Sequence, residues 1–380
     1  MIPFNRPSFH GNERRYMEQA IANGSISGNG EFTRKAEAML SELHGGAAAL
    51  LTTSCTHALE MSARLLDLQP GDEVIVPSYT FVSSASAFMW NGATPVFADS
   101  RADTLNIDPS DVAGLITPRT KAICIVHYAG VGADPRAFAE LAERHGITLI
   151  EDNAHGLGGS FDGQRLGTFG SMSTLSFHET KNITCGEGGA LIINDPTLVE
   201  RAEILREKGT NRARFLRGQV DKYTWVDNGS SWVMSDMLAA ILVAQLEGFD
   251  EIQAQRLRLW LNYRQSLEAW AEHNSVLLPF IPAKASNTAH MFHLRFGDVE
   301  QRDAFIAHMR EHGVQTVFHY QALHESPIGL SLQQDHACLV ASQASHTLVR
   351  LPLFYDLSPT DQQRVIDGVV SFPAQRSEAG

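Results

Sequence analysis

Residues 176–192 read SFHETKNITCGEGGALI, in which one lysine, Lys181, lies in polar and glycine-rich sequence between two apolar runs. The order of residues excludes a P-loop, because that motif places its glycines before a closing Gly-Lys-Ser/Thr, whereas here the glycines follow the lysine. The GEGG segment at 186–189 predicts a close approach of the backbone to a neighbouring group, which an ordinary surface loop does not require. The role of Lys181 therefore has to be inferred from the rest of the sequence.

The sequence on both sides predicts an α/β fold with a mainly parallel sheet. Short apolar runs alternate with amphipathic helices such as 33–46 and 134–146, as in repeated βα units. The runs with strand character are 73–77, 94–99, 121–128, 147–152, 173–177 and 189–195. A proline-poor segment, 235–270, predicts one or two helices, and the remainder resembles a small α+β unit. We therefore expect a large domain over 1–250, and a long helix with a smaller α+β domain over 251–380.

Composition limits the classes of partner. The formal charge of -13 argues against nucleic acid and against an anionic membrane surface, both of which favour clustered basic residues. The four cysteines lie far apart without zinc-like spacing, so we expect reduced thiols and no metal site. No signal peptide or long apolar run is evident, which favours a cytoplasmic protein. The tail at 375–380 has a composition typical of disorder.

In an open parallel sheet, ligands bind beyond the carboxyl ends of the strands, so polar residues at those positions are the candidates. Thr52, Thr53, Ser54, Cys55 and Thr56 follow one apolar run and precede a helix. The first turn of a helix offers N–H groups and positive potential, which would suit a phosphate. The alternative is that Ser54 or Thr56 only caps the helix.

Two further strand ends carry candidate ligand contacts. Asp152 closes the strand at 147–152, where a carboxylate could hold a protonated ring nitrogen, and His155 could meet another polar group of the same ring. Tyr79 and Phe81 follow the strand at 73–77 and could offer a flat apolar face. The alternatives are a strand-terminating acid, a structural histidine and core aromatic residues.

Lys181 follows the strand at 173–177, so it belongs to the same edge of the sheet. A lysine desolvated there could act as a nucleophile that forms a Schiff base. The chain has only six lysines, and Lys222 is the one rival that we retain. A phosphate cradle, a ring-nitrogen carboxylate, a stacking aromatic residue and a Schiff-base lysine, in this chain order, together indicate a pyridoxal phosphate (PLP) site.

The motifs PSYTFVSSASA, EDNAH, SFHETKN and GEGGAL are similar to those of the DegT/DnrJ/EryC/StrS sugar-nucleotide aminotransferases, and the resemblance covers almost the whole chain. It implies the fold type I architecture of PLP-dependent transferases. Within the family, FHETKN, REKGTNRARFLRGQVDKYTW and GSSWVMSDMLAA most resemble the dTDP-4-amino-4,6-dideoxygalactose transaminases. That activity implies dTDP-4-keto-6-deoxyglucose and L-glutamate as substrates, on a route to enterobacterial common antigen, lipopolysaccharide or related glycans.

The resemblance also implies roles for individual residues. Lys181 would bond PLP and later move a proton, and Asp152 would hold the pyridinium nitrogen. Phe81 would stack on the ring and His155 would approach the ring oxygen. The residues implied at the phosphate are Ser54, Cys55, Thr56 and Ser176.

Members of this family are homodimers with active sites at the subunit interface. The family's usual Asn, which reaches the partner's phosphate, is replaced here by Ser231. Glu179 stands where proline is common, and many members have Gln in place of His155. Glu179, His319, Tyr320 and His324 are the candidates for substrate contact, with core packing as the alternative for the last three.

Other activities remain open at this stage. The amination could give the 4-amino gluco isomer or a 3-amino sugar. PLP/PMP-dependent sugar dehydration is less favoured, because relatives with that activity replace the lysine by histidine. A non-catalytic PLP fold conflicts with the presence of both Lys181 and Asp152, and a nicotinamide-dependent Rossmann enzyme conflicts with the absence of GxGxxG after an early strand.

Overall fold

The structure is a computed structural model that describes residues 1–24 and 26–373. The segment 375–380, predicted above to be disordered, lies outside the described residues. The helices are α1 (Glu13–Ala22), α2 (Glu31–Leu43), α3 (Cys55–Leu65), α4 (Ser83–Met89), α5 (Pro109–Leu115), α6 (Pro135–His145), α7 (Val199–Arg206), α8 (Arg212–Leu216), α9 (Asp236–Glu247), α10 (Phe249–His273), α11 (Val299–Glu311), α12 (Pro327–Ser331), α13 (Leu339–Thr347) and α14 (Pro359–Val370). The strands are β1 (Ala48–Thr52), β2 (Glu73–Pro77), β3 (Thr94–Ala98), β4 (Thr120–Val126), β5 (Thr148–Asp152), β6 (Ser160–Phe161), β7 (Gln164–Arg165), β8 (Met172–Ser176), β9 (Gly189–Ile193), β10 (Phe292–Arg295), β11 (Val317–Phe318) and β12 (Leu348–Leu351).

The large sheet has the strand order β1-β9-β8-β5-β4-β2-β3 in the described part of the chain. Strands β8, β5, β4, β2 and β3 are parallel, and β9 is antiparallel to both β8 and β1. Because β1 therefore runs in the same direction as β8, the carboxyl ends of β1, β5 and β8 meet at one edge. The predicted strands and the mainly parallel α/β class are confirmed.

Local signals in the sequence account for the helices that cover this sheet. The predicted helix at 134–146 begins with Asp134, whose carboxylate accepts a hydrogen bond from the N–H of Ala137, and it ends at Gly146 in the left-handed region. Phe138 and Leu141 on its apolar face are buried against the sheet. The proline-poor segment forms the two helices α9 and α10, which confirms that prediction as well.

A second, smaller sheet has the order β10-β12-β11, and its core includes Phe292, Phe305 and Val349. Ile2, at the opposite end of the sequence, packs into the same core. Conversely, Ala341 of α13 packs into the core of the large sheet. The division of the chain at residue 250 stays a prediction, and these contacts show that both ends of the chain cross it.

Two properties of the described residues bear on the expected partners. None of their helices is both long and apolar enough to span a membrane. They also contain no group of three or more His, Cys, Asp or Glu side chains arranged to hold a metal ion.

Candidate active site

A cavity of about 900 Å³ lies at the edge of the large sheet where β1, β5 and β8 end. We call it the large cavity. Ten of the residues selected from the sequence line it, because the carboxyl ends of parallel strands meet at one edge. They are Ser54, Cys55, Thr56, Phe81, Asp152, His155, Ser176, Lys181, His319 and Tyr320.

The amino terminus of α3 forms one end of the large cavity. Ser54 is the N-cap of this helix, and its hydroxyl accepts a hydrogen bond from the N–H of His57 at 3.1 Å. The hydroxyl of Thr56 lies 2.7 Å from that of Ser83. Ser54 therefore caps the helix, as the alternative interpretation held, and it also lines the cavity where the helix presents positive potential.

The GEGG segment packs against the chain's own backbone. A Cβ atom on Gly189 would lie 2.3 Å from the carbonyl carbon of Ser54 and 2.4 Å from the nitrogen of Cys55. A Cβ atom on Gly188 would meet the side chains of Met234 and Cys185 at 2.5 and 2.6 Å. The close approach predicted from the sequence is therefore present. These two glycines let β9 support the start of α3.

Asp152, at the end of β5, is buried in the floor of the cavity. Its Oδ2 accepts a hydrogen bond from the Ser84 hydroxyl at 2.7 Å, and its Oδ1 accepts one from the N–H of Ala154 at 3.2 Å. Burial raises the pKa of this carboxyl above its ordinary value, although these hydrogen bonds and the charge of Lys181 oppose the effect. A cationic N–H placed against Asp152 would favour its ionised form further.

Lys181 is the one lysine among the six that lines the large cavity, and all six lie in the described part of the chain. Burial lowers the pKa of its amine to about 8, and the nearby charge of Arg350 acts in the same direction. Lys35 and Lys121 form ion pairs with Glu247 and Asp72, as surface lysines commonly do. Lys181 therefore has the neutral, nucleophilic form accessible near physiological pH.

Imidazole and phenol rings form the opposite wall. His155 stacks on His290 with ring centroids 4.2 Å apart, and the Tyr320 hydroxyl lies 3.4 Å from His155 Nε2. Burial holds the pKa values of His155, His290 and His319 well below the ordinary value, so these rings are neutral at pH 7. Within the described residues, the buried Nδ1 of His155 has no hydrogen-bond partner, which leaves it available to a ligand.

Phe4, Ser84, His290 and Arg350 are among the residues at the cavity or its floor that were not selected from the sequence. Arg350 could have been selected from the sequence, because it is a single charged residue inside the otherwise apolar strand β12. The others carried no such signal, because a serine in a serine-rich helix start and a phenylalanine near the amino terminus are ordinary residues.

Three selected residues lie outside the large cavity. Glu179 lines a separate cavity of about 240 Å³, which also borders Lys181. Ser231 is exposed and pairs through its backbone with Glu207. His324 is held by the hydroxyl of Ser78, 2.6 Å from its Nδ1. The fold thus does not bring these side chains to the cavity within one chain.

Phe81 and Tyr79 differ in their surroundings. The Phe81 side chain is 55% exposed at the cavity and lies against Tyr320, with ring centroids 6.2 Å apart. Tyr79 is buried and its hydroxyl donates to the carbonyl of His319, which makes it a core residue, as its alternative interpretation held.

The cavity fits PLP on the chemistry of its lining. One end supplies a helix amino terminus for a phosphate, the floor supplies a buried carboxylate for a ring nitrogen, and a lysine of lowered pKa lines the same cavity. The orphaned Nδ1 of His155 offers a partner for a polar ring substituent. The volume also falls in the range of small-molecule sites.

Comparisons with known proteins agree with this chemistry. A model of the DegT/DnrJ/EryC1/StrS aminotransferase family matches residues 7–370. The chain is similar to the solved structure of the aminotransferase TlmJ from Streptoalloteichus hindustanus, with 32% identity over 97% of this chain and 98% of TlmJ and a TM-score of 0.89. It is also similar to DesV from S. venezuelae, with 31% identity over 94% of this chain and 93% of DesV and a TM-score of 0.86.

A third similar structure identifies the cofactor class. Spr1654 from Streptococcus pneumoniae, solved in PMP and PLP forms, shares 25% identity; the PMP form covers 97% of this chain and 98% of Spr1654 with a TM-score of 0.90. The likeness and the mainly parallel sheet give this chain the fold type I architecture of PLP-dependent transferases. The chain belongs to the DegT/DnrJ/EryC1/StrS aminotransferase family, and its cofactor is PLP.

Proposed function

We propose that the protein converts dTDP-4-keto-6-deoxy-D-glucose to dTDP-4-amino-4,6-dideoxy-D-galactose, with L-glutamate as the amino donor. The observation that carries aminotransferase chemistry is Lys181, whose pKa of about 8 and position on the large cavity suit a covalent cofactor anchor. Support for a sugar substrate comes from the family, and from Spr1654, which is classed provisionally as a sugar aminotransferase. Support for the specific sugar comes from the resemblance of 177–182, 206–225 and 229–240 to that subfamily.

When bound, PLP supplies an electron sink and carries the amino group from the donor to the acceptor. Lys181 Nζ anchors the cofactor and then moves a proton at the reacting carbon. Asp152 holds the proton on the ring nitrogen, and the Ser84 hydroxyl orients Asp152. His155 would contact the ring oxygen through its Nδ1, which has no hydrogen-bond partner among the described residues.

The remaining contacts position the cofactor and the substrates. Phe81 would stack on the ring, and Ser54, Cys55, Thr56 and Ser176, which line the cavity near the start of α3, would bind the phosphate. His319 and Tyr320 contact the sugar across the cavity. Glu179 reaches substrate from the smaller cavity beside Lys181.

We also propose that the protein works as a homodimer in the cytoplasm, with each active site completed by the partner. Ser231 is exposed and lies away from its own chain's cavity, as a residue that serves the partner's phosphate would. The product enters the synthesis of enterobacterial common antigen or a related glycan. His324 supports the sugar-site wall indirectly, through Ser78.

The test incubates the PLP-loaded protein with dTDP-4-keto-6-deoxyglucose and L-glutamate and determines the product by NMR. An axial amine at C4 is the expected result. An equatorial C4 amine would replace our assignment by the gluco isomer, amination at C3 would exclude this subfamily, and loss of a hydroxyl without amination would indicate a dehydratase.

Two variants control for the mechanism. Lys181→Ala is expected to lose turnover, the yellow colour of the holoenzyme and its sensitivity to borohydride. Lys222→Ala, the matched change at the rival lysine, is expected to retain all three. Full turnover by Lys181→Ala would refute the assigned role.

A further inference from the structure

Arg350 is a half-buried cation whose guanidinium has no hydrogen-bond or ion-pair partner in the described part of the chain. It lies on β12 of the small sheet and lines the large cavity, with its Cζ 4.5 Å from the centre of the Phe4 ring. Its Nε is buried and has no hydrogen-bond partner within the part of the chain that the structure describes. In the described ranges, 1–24 and 26–373, no carboxylate forms an ion pair with it.

The surroundings of Arg350 do not compensate this charge. The nearby rings of His155 and His319 are neutral, and burial raises the pKa values of Tyr128 and Tyr320, so these phenols are neutral too. Burial lowers the pKa of Arg350, but a guanidinium keeps its proton at physiological pH. A partly desolvated cation without a counter-ion is costly, so the arrangement is suited to an anionic ligand.

The cofactor's phosphate is a poor match for this cation. The phosphate cradle begins at β1 and α3 of the large sheet, whereas Arg350 comes from the small sheet. The charge of Arg350 acts on Lys181, His155 and His319. The pKa of Cys55, in the cradle, is instead shaped by burial and by the charges of Asp152 and Lys181.

Two anionic groups of the substrates remain as candidate ligands of Arg350, and they differ in their distance from the reacting carbon. In an amino-acid donor, the α-carboxylate is bonded to the carbon that carries the transferred nitrogen. In a nucleotide sugar, the diphosphate is attached at C1, across the ring from C4. Because Arg350 acts on the lysine that serves the reacting carbon, its position favours the closer anion, and a guanidinium matches a carboxylate in a planar, bidentate pair.

We propose that Arg350 binds the α-carboxylate of the amino-acid donor and thereby orients its α-carbon toward Lys181. The inference rests on the proposed function only in requiring an amino-acid donor. It is independent of which sugar accepts the amine, and of which amino acid donates it, because all such donors share this carboxylate.

The experiment follows the conversion of the PLP form to the PMP form by absorbance, with no sugar present. The donors are L-glutamate and 4-aminobutyrate, which lacks the α-carboxylate but keeps the distal one. In Arg350→Met, the second-order rate with L-glutamate is expected to fall roughly 30-fold or more, as for one partner removed from a buried charged pair. The rate with 4-aminobutyrate is expected to stay within about 3-fold of wild type.

Two further variants separate binding from folding. Arg350→Lys keeps the charge but cannot form the bidentate pair, so an intermediate loss with L-glutamate is expected. Arg295→Met is the matched control: Arg295 lies on the adjacent strand β10, is buried, donates to the carbonyl of Ala102, and does not line the large cavity. It is expected to keep the wild-type rates, and thermal melting reports on folding in each variant.

Three results would overturn the inference. They are an unchanged L-glutamate rate in Arg350→Met, an equal loss with both donors, and failure of L-glutamate, L-glutamine and L-alanine alike to convert the wild-type PLP form. If Arg350→Met does not fold, Arg350→Lys decides by the same ratio of the two donor rates. A wild-type protein that reacts with L-glutamate but rejects the keto sugar would refute the proposed function and leave this inference standing.

Discussion

At the scale of single residues, the reactivity of Lys181 follows from desolvation. Removing the amine from water disfavours its charged form, and the cationic Arg350 adds to this effect, while Asp152 and Cys55 oppose it. The result is a pKa of about 8 in place of 10.5. A surface lysine such as Lys35 shows the opposite behaviour, because its ion pair with Glu247 raises its pKa.

This pKa predicts the pH dependence of cofactor uptake. The neutral amine is the nucleophile, so the rate at which cofactor-free protein takes up PLP is expected to rise with pH and to level off above about 8. Stopped-flow absorbance between pH 6 and 11 measures the midpoint. Lys222→Ala should give the same curve, and a midpoint near 10.5 would contradict the desolvation of Lys181.

At the scale of elements, β9 supports the proposed phosphate cradle at the start of α3 through Gly189. Gly189→Ala would place a Cβ 2.3–2.5 Å from the backbone of Ser54 and Cys55, so the start of α3 must shift. We expect a loss of about 1–3 kcal/mol in the free energy of unfolding, together with weaker PLP binding. Chemical denaturation and a PLP titration measure the two effects.

Gly114→Ala is the control for this prediction. Gly114 lies in α5, and a Cβ there meets nothing within 4 Å, so this change should leave PLP binding unaltered and stabilise slightly. Unchanged stability and PLP affinity in Gly189→Ala would contradict this prediction, because they would show that β9 and the start of α3 can move apart without loss of free energy.

Glu151 makes a second link between secondary-structure elements, from the end of β5 to the loop that precedes β8. The Glu151 carboxylate accepts hydrogen bonds from His127 Nε2 at 2.9 Å and from the N–H groups of Gly167, Phe169 and Gly170 at 2.7–2.8 Å. Burial alone would raise its pKa, but these hydrogen bonds outweigh burial and hold the pKa below 4.5. Glu151 thereby fixes the loops around Asp152, its neighbour in sequence.

The sign of this shift predicts a pH-dependent stability. A carboxyl whose pKa is depressed by folding stabilises the protein above its unfolded pKa, and this contribution is lost as pH falls through the folded value. Glu151→Gln is therefore expected to cost roughly 3–5 kcal/mol at pH 7, and the difference from wild type should shrink below about pH 4.5. Urea titrations at pH 7 and pH 4 measure it.

The comparison variant is Glu200→Gln. The Glu200 side chain is 59% exposed, and among the described residues its one ion pair is with Arg214 at the surface. Its effect should stay below about 1 kcal/mol at both pH values. A difference for Glu151→Gln that grows as pH falls would contradict the assigned sign.

At the scale of the whole molecule, exposed apolar side chains support the proposed homodimer. Leu216, Tyr223 and Trp225 are 64%, 55% and 75% exposed and precede Ser231, which we assign to the partner's site. Light scattering is expected to give about twice the chain mass of 41.7 kDa. Trp225→Glu should favour the monomer and lower activity, because a desolvated carboxylate opposes burial at an interface.

Leu339→Glu is the matched change for this prediction, at an equally exposed apolar residue of α13 outside the segment that leads to Ser231. It is expected to keep both the mass and the activity. A wild-type mass of 41.7 kDa with full activity would exclude an active site shared between subunits.

The sheet and its ligand edge were predictable from the sequence because their signals are local. Strands β2 to β5 are short apolar runs. Asp152 closes one such run, and Ser54 and Lys181 each follow another by a few residues. The rule that parallel strands end at one edge then brings these residues together. The GEGG segment shows where local signals stop: its glycines predicted close backbone approach, but the neighbour on which Gly189 packs is Ser54, more than a hundred residues away.

The sequence alone determined the α/β class. It also predicted the order of the cofactor contacts and selected Lys181 among six lysines, since residue type, spacing and composition suffice for these predictions. Only the tertiary structure decided the wall of the cavity, where β12 carries Arg350 and His290 stacks on His155. Desolvation and the missing counter-ion of Arg350 are properties of what surrounds a side chain after folding. They depend on contacts between distant segments, which spacing along the chain does not encode.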